Sequence, residues 1–260
     1  MEPFVALIRR YVVDYTNRHD TSVCAEIMEP DYVLRMGPHV VAGRDGAYIP
    51  AAQAQFRQFP GLGLTVHEIV TNGERLAMRF SEHGASVRHG GAVAVWGGLG
   101  LYAWNGTRLT ANLVEQDYLA RRRQLASNGP DAVESPAPAP WDTTAEPVVP
   151  DAERLVRDWI ADGLPGEAVR YDDGTAGPKI DDVEVAVDDL FSAGDRVAFR
   201  ITRRGHYLGG LDELADLALG ATAELHMVGL VTVSGGRVTG GRIVRDRLGL
   251  ARALSRGATR

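Results

Sequence analysis

Residues 115–125, EQDYLARRRQL, place two carboxylates, Glu115 and Asp117, at the end of an apolar run. On a β-strand successive side chains alternate faces, so these two share one face while Val114 and Gln116 take the other. A carboxyl group taken out of water ionises less readily, and its pKa rises. A group shifted in this way can give or take a proton near neutral pH, which is general acid–base chemistry. Glu82 is a further carboxylate, on LAMRFSE, where it shares a face with Leu76, Met78 and Phe80. The same residues also have a structural reading. Asp117 stands where an N-cap would accept a backbone N–H of the helix LARRRQL. Glu115 would equally suit an ion pair at a rim.

Other side chains could join such a site. His39, His83 and His89 lie in polar stretches, and His83, in SEHGAS, could shuttle a proton or simply be solvated. Tyr15 could donate its phenol to a substrate oxygen or serve as a core aromatic with a satisfied hydroxyl. Arg79 would contact an anion or form a structural ion pair. Trp96 and Tyr102 would line a pocket or a contact between sheets. Arg35 and Met36, ending DYVLRM, complete the candidate binding residues. Arg121, Arg122 and Arg123 read as solvated or as an interface contact. No HExxH or H-x-E spacing occurs, so no metal site is expected. No phosphate loop accompanies the glycines of HGGAVAVWGGLG, and no cofactor is expected.

Composition narrows the function classes. At 260 residues the chain has room for two small domains. Its net charge of −6 argues against a nucleic-acid partner. The single cysteine, Cys24, rules out an internal disulfide and fits a reducing cytoplasm. The opening MEPFVALIRRYVVDY is broken by Arg9 and Arg10 and is not expected to be a signal peptide. No apolar run approaches the roughly 18–20 residues that span a bilayer, so no membrane association is expected.

The elements that must position these residues are written twice. NGERLAMRFSEHG (72–84) matches AGDRVAFRITRRG (193–205), with Gly73, Arg75, Ala77, Arg79 and Gly84 paired to Gly194, Arg196, Ala198, Arg200 and Gly205. At a second constant offset, Asp117, Leu119, Arg123 and Leu125 pair with Asp246, Leu248, Arg252 and Leu254, while Glu115 pairs with Val244. Each copy opens on an amphipathic helix: Phe4, Leu7, Ile8, Tyr11, Val12 and Tyr15 form the stripe in the first, and Leu155, Val156, Trp159 and Ile160 in the second. Strands and turns follow in each, which reads as α+β. Prolines 130, 136, 138, 140, 147 and 150 mark a stiff linker. The expected organisation is 1–126, a linker at 127–151, and a shortened second copy at 152–260. The first copy has extra elements: a short helix near Ala25–Met28, a strand over 31–36 and a helix over 47–59. The second carries an insert, LDELADLAL (211–219), expected to form a turn or two of helix.

PDYV, GRDG, FPGLGLTVHEIVTNGERLAMRFSEHG and the closing Asp117 with Gln124-Leu125 resemble the SnoaL-like group of the nuclear transport factor 2 superfamily. The resemblance covers most of residues 4–126 and, more weakly, 152–256. It implies two tandem cones, each a curved antiparallel sheet wrapped by N-terminal helices around a blind apolar pocket. It also implies that the closing carboxylates look into that pocket, with Asp117 as the acid and Glu115 or Glu82 as the base. The group includes polyketide cyclases, limonene-type epoxide hydrolases, ketosteroid isomerases and non-catalytic carriers. The epoxide hydrolase arginine falls on Phe80, so that group's water-activating set is incomplete. The resulting expectation is a cofactor-independent acid–base enzyme of secondary metabolism. It would act on an apolar, polyketide-like small molecule by cyclisation, isomerisation or epoxide opening. The alternatives are a small-molecule binding protein and a scaffold. The second copy is expected to have a degenerate pocket and to pack on the first as an internal pseudo-dimer, with a homo-oligomer also open.

Overall fold

The computed structural model describes residues 1–164, 168–175, 177–211 and 218–257. Helix α1 (Pro3–Arg9) starts at Glu2, whose carboxylate accepts the Val5 N–H at 2.7 Å, and continues as a π-helical stretch, Arg10–Thr16. Its apolar stripe from Phe4 to Tyr15 is buried in the first core. Helix α2 (Cys24–Ile27) then leads into strands β1 (Met28–Met36) and β2 (His39–Ala42), and helix α3 (Ile49–Gln58) follows. The meander is β3 (Gly63–Thr71), β4 (Arg75–Ser86), β5 (Ala92–Trp104) and β6 (Leu109–Gln116), closed by helix α4 (Tyr118–Ser127). The β3–β4 turn is set by Asn72, whose side-chain oxygen accepts the N–H groups of Glu74 and Arg75, and by Gly73 at φ +89°.

The six strands are ordered β2-β1-β6-β5-β4-β3, with β1 parallel to β6 and the other pairs antiparallel. The second copy begins with helix α5 (Pro150–Ala161). Its strands are β7 (Val169–Tyr171), β8 (Lys179–Ala193), β9 (Arg196–Gly209), β10 (Thr222–Ser234) and β11 (Arg237–Arg245), and helix α6 (Arg247–Gly257) closes it. The order is β7-β11-β10-β9-β8, again with the first strand parallel to the last. The fold is therefore α+β, with two curled sheets and helices against each. Among the described residues the second copy has no counterpart of α2, β2 or α3. The helical turn expected in LDELADLAL falls on 212–217, outside the described residues.

Both faces of each central sheet are covered. Leu76, Met78, Phe80 and Tyr102 point into the first cone with α1. On the opposite face Ala77, Leu99 and Leu101 meet Phe191, Ala198, Val228, Leu230 and Val244 of the second sheet. Each buried Leu or Val contributes roughly 1.5–3 kcal/mol relative to exposure. Ion pairs border this contact reciprocally: Arg75 binds Asp189, and Arg196 binds Glu68. Arg75 and Arg196 are repeat partners at the same offset as Glu68 and Asp189, so each copy presents the same pair to the other, as across a two-fold interface. Trp141 of the connecting segment packs against the first core. Among the described residues no helix is long and apolar enough to cross a membrane.

Candidate functional site

The first cone holds a cavity of about 140 Å³ lined by residues including Tyr11, Tyr15, Met36, Tyr48, Gln55, Glu82, Val114, Gln116 and Tyr118. Strand β4 places Glu82 there. Its side chain follows Leu76, Met78 and Phe80 on the inner face, and the residue is only 7% exposed. Helix α3 brings Gln55 across it, with Nε2 donating to Glu82 Oε2 at 2.8 Å. Burial pushes the Glu82 carboxyl up from 4.5 to about 7, against the pull of the Arg121 charge and the Gln55 hydrogen bond. Around it the hydroxyls of Tyr11 and Tyr15 each lie 3.2 Å from that of Tyr48. Burial holds the Tyr15 and Tyr48 phenols well above their usual range, so both stay protonated and able to donate. A carboxyl poised near neutrality beside neutral phenols can move a proton and hold an oxygen of a ligand.

The closing strand presents the opposite face to that expected. Register pairs Gly98 with Gln116 and Gly100 with Val114, so Val114 and Gln116 look into the cone. Glu115 and Asp117 look toward the second copy. Glu115 is fully buried; its carboxylate accepts the Gly37 N–H at 3.0 Å and lies 3.3 Å from Arg200 Nη2. Burial, with the nearby Asp246 charge, pushes its carboxyl up to about 8, while Arg200 and the Gly37 N–H oppose the shift. Asp117 accepts the Ala120 N–H at 3.1 Å as the cap of α4, and Arg247 Nη2 approaches its two oxygens at 3.0 and 2.7 Å. Neither carboxylate reaches the cavity, so the acid expected at Asp117 and the base expected at Glu115 are a helix cap and an inter-copy clamp.

The other candidates divide in the same way. Tyr15 and Met36 line the cavity. Trp96 and Tyr102 are on the inner face without lining this cavity: Trp96 Nε1 donates to Gln116 at 2.8 Å and its side chain also helps to hold Glu82, and Tyr102 packs edge-on against Tyr11. His83 alternates away from Glu82 and meets Thr65 Oγ1 at 3.2 Å, so it cannot shuttle a proton in the cone. Arg35 is exposed on β1. Arg79 faces outward and pairs with both oxygens of Glu134 at 2.7 Å, the structural reading of that arginine. Among the described residues no three metal-binding side chains converge.

Sequence reasoning missed Tyr48, Gln55, Gln116 and Tyr118. A signal for the first two exists in AYIPAAQAQF, where Tyr48, Ala52 and Gln55 follow helical spacing and put an amide on the inner stripe. A larger cavity, about 710 Å³, lies elsewhere, between the copies and lined in part by residues 131–134. Its walls carry the Arg79–Glu134, Arg247–Asp117 and Arg123–Asp131 pairs. These charges pair with one another, and Asp172, whose carboxyl burial pushes up to about 6, lines the same cavity. The smaller apolar cavity differs in setting a carboxyl raised to about 7 beside neutral phenols.

Comparison with known proteins agrees with the fold. Residues 8–111 match the model of the SnoaL-like domain. No curated protein matches the chain. Among solved structures, a candidate SnoaL-like polyketide cyclase from Jannaschia sp. CCS1 is 17% identical, with a TM-score of 0.44 over 47% of this chain and 91% of that one. TsrD from Streptomyces laurentii is 21% identical, with a TM-score of 0.43 over 48% of this chain and 96% of that one. IdmH, a candidate polyketide cyclase from Streptomyces antibioticus, is 20% identical, with a TM-score of 0.42 over 48% and 99%. Residues 8–111 of the N-terminal half, with their helical wrap and the β1–β6 parallel pairing, are thus similar to the SnoaL-like domain family.

Proposed function

We propose that the first cone is a cofactor-independent acid–base enzyme for an apolar small molecule, with Glu82 as the proton-transferring group. The observation that carries this reading is a buried carboxyl, raised to about 7, facing a cavity walled by tyrosines. Tyr15 and Tyr48 would hold a ligand oxygen. Proton abstraction beside that oxygen, then return of the proton at another atom, would accomplish an isomerisation or an aldol-type ring closure. Proton delivery to an epoxide oxygen is the third use of the same group. A polyketide-like substrate of secondary metabolism is the class we infer, with only a ring-sized part inside the cavity. A cavity of this volume holds a benzene-sized ring. The second copy would serve as the other half of an internal pseudo-dimer, supported by the reciprocal Arg75–Asp189 and Arg196–Glu68 pairs. The buried free Cys24 fits a reducing cytoplasm.

The test is the ionisation of Glu82 joined to turnover. A carboxyl ¹³C NMR titration should give a midpoint near 7 for Glu82, and Glu82→Gln should remove that signal. The opening of 5-nitrobenzisoxazole, a ring-sized probe of buried carboxylate bases, should rise through the same midpoint. It should fall roughly 10²–10⁴-fold in the variant. A midpoint in the ordinary carboxylate range, or equal rates in the two proteins, defeats the assignment.

A binding protein is the second reading. It is favoured by the mutual satisfaction of the Tyr11, Tyr15 and Tyr48 hydroxyls, which leaves a finished wall rather than open donors. Release of an unchanged co-purified molecule in native mass spectrometry, with the probe reaction absent, would select it.

A further inference from the structure

A further cavity of about 290 Å³ adjoins the one that holds Glu82. Met36, Gln55 and Tyr118 line both, so these three side chains are all that the two spaces share as a wall, and the outer space lies next to the cavity of Glu82. Its other walls come from both copies: His39 and Arg88 from the first, Arg121 on α4, and Asp246, Leu248, Gly249 and Arg252 at the start of α6. Copy two therefore helps to wall the space beside copy one's pocket.

The charges in this outer space are unbalanced. Among the described residues Arg88, Arg121 and Arg252 form no ion pair or hydrogen bond. Among the described residues of the wall the one carboxylate is Asp246, which already accepts the Gly249 N–H at 2.8 Å as the cap of α6. Arg121 is held on an aromatic platform. Its guanidinium carbon lies 4.0 Å from the Tyr118 ring centre, 5.1 Å from Trp96 and 5.7 Å from Phe59. Stacking orders the planar group while leaving its N–H edge available, which is how a guanidinium is set up to take a carboxylate. A ring reaching the inner cavity past Gln55 would leave an acidic tail beside Arg121, with Arg252 opposite.

We propose that the two copies together form an anion-selecting entrance, with Arg121 and Arg252 receiving the carboxylate of a small carboxylic acid whose apolar ring enters the cavity at Glu82. The proposal rests on the inner cavity being the ligand site, and it assigns α6 of the second copy a part in selectivity.

The probes are 3-phenylpropanoate and 3-phenylpropanamide, equal in shape and different in charge, with affinities measured by calorimetry on the full chain. The acid should bind about tenfold more tightly than the amide, as a charge-assisted pair requires. Added salt should weaken the acid alone. R121Q and R252Q should each bring the ratio toward one, with the acid losing more affinity than the amide. Arg252 is exposed, so R252Q keeps the test available should loss of the stack unsettle α4. Equal affinities in the unmodified protein, or a ratio that persists in both variants, overturn the proposal. Failure of both probes to bind also overturns it, and the Glu82 titration then judges the inner cavity independently.

Discussion

Glu82 carries a stability signature as well as a proposed chemical one. Its carboxyl is raised from 4.5 to about 7, so the folded chain keeps a proton that the unfolded chain has released. The folded state then binds more protons between those values, and stability falls as pH rises through that window and levels off above it. At 7% exposure little solvent screening applies, and the shift corresponds to about 3 kcal/mol across the window. Urea unfolding from pH 4.5 to 8 should show that decline, and Glu82→Gln should flatten its share of it. A variant with the same slope as the parent would place Glu82 in water. Glu82 was legible in the sequence because Leu76, Met78 and Phe80 on its own strand identify the inner face. Glu115 and Asp117 lacked such a guide. Leu113 faces the second sheet and Val114 faces the cone, so apolar residues occupy both faces of β6 and alternation cannot say which is inside. Pairing with β5 decides it, and that is long-range information.

The element scale explains why an aspartate recurs at the two closing segments. Asp117 caps α4 through the Ala120 N–H, and Asp246 caps α6 through the Gly249 N–H. Each ends a last strand and begins a last helix, so the repeat follows from fold geometry rather than from a duplicated acid. The two sites differ in their further partners, because Arg247 reaches Asp117 across the copies and also approaches Asp173 at 3.3 Å. Asp117→Asn keeps a capping oxygen and should leave turnover of the benzisoxazole probe unchanged. Asp117→Ala removes the cap, worth about 1 kcal/mol, and also takes one partner from a buried arginine that keeps Asp173, at about 3 kcal/mol, for a total of about 4 kcal/mol. Chemical denaturation of the two variants should separate these costs, and a loss of turnover in the Asn variant would restore the catalytic reading of Asp117. The helical stripes, the β3–β4 turn and the linker composition were all local patterns and therefore readable. The Arg121 platform was not, because Phe59, Trp96 and Tyr118 meet only after three separate elements pack.

At the scale of the whole molecule, the two copies hold each other through faces that alternation alone could have assigned to water. The glutamate-to-valine change between repeats marks where the pseudo-symmetry breaks. Val244 lies in the apolar contact between the sheets, whereas Glu115 reaches back to the β1–β2 turn and across to the second copy. Gly37 makes that turn possible: it sits at φ +52°, and a Cβ there would fall 2.2 Å from Asp246 Oδ2. Its N–H goes to Glu115 and its carbonyl accepts from Arg200 Nη2 at 2.9 Å, so one carboxylate and one arginine fasten a turn of copy one to a strand of copy two. Glu115→Ala would orphan the Gly37 N–H and take one partner from a buried guanidinium that keeps Asp188 at 2.8 Å. With the Glu115 carboxyl raised to about 8 and therefore largely neutral, the expected cost is that of orphaned buried hydrogen-bonding groups, about 2 kcal/mol. Hydrogen exchange should show its effect on both sides of the contact, with β1 and β9 amides losing protection together. Loss confined to β1 would mean that Glu115 serves the first copy alone, and the entrance built from α6 would then need another anchor.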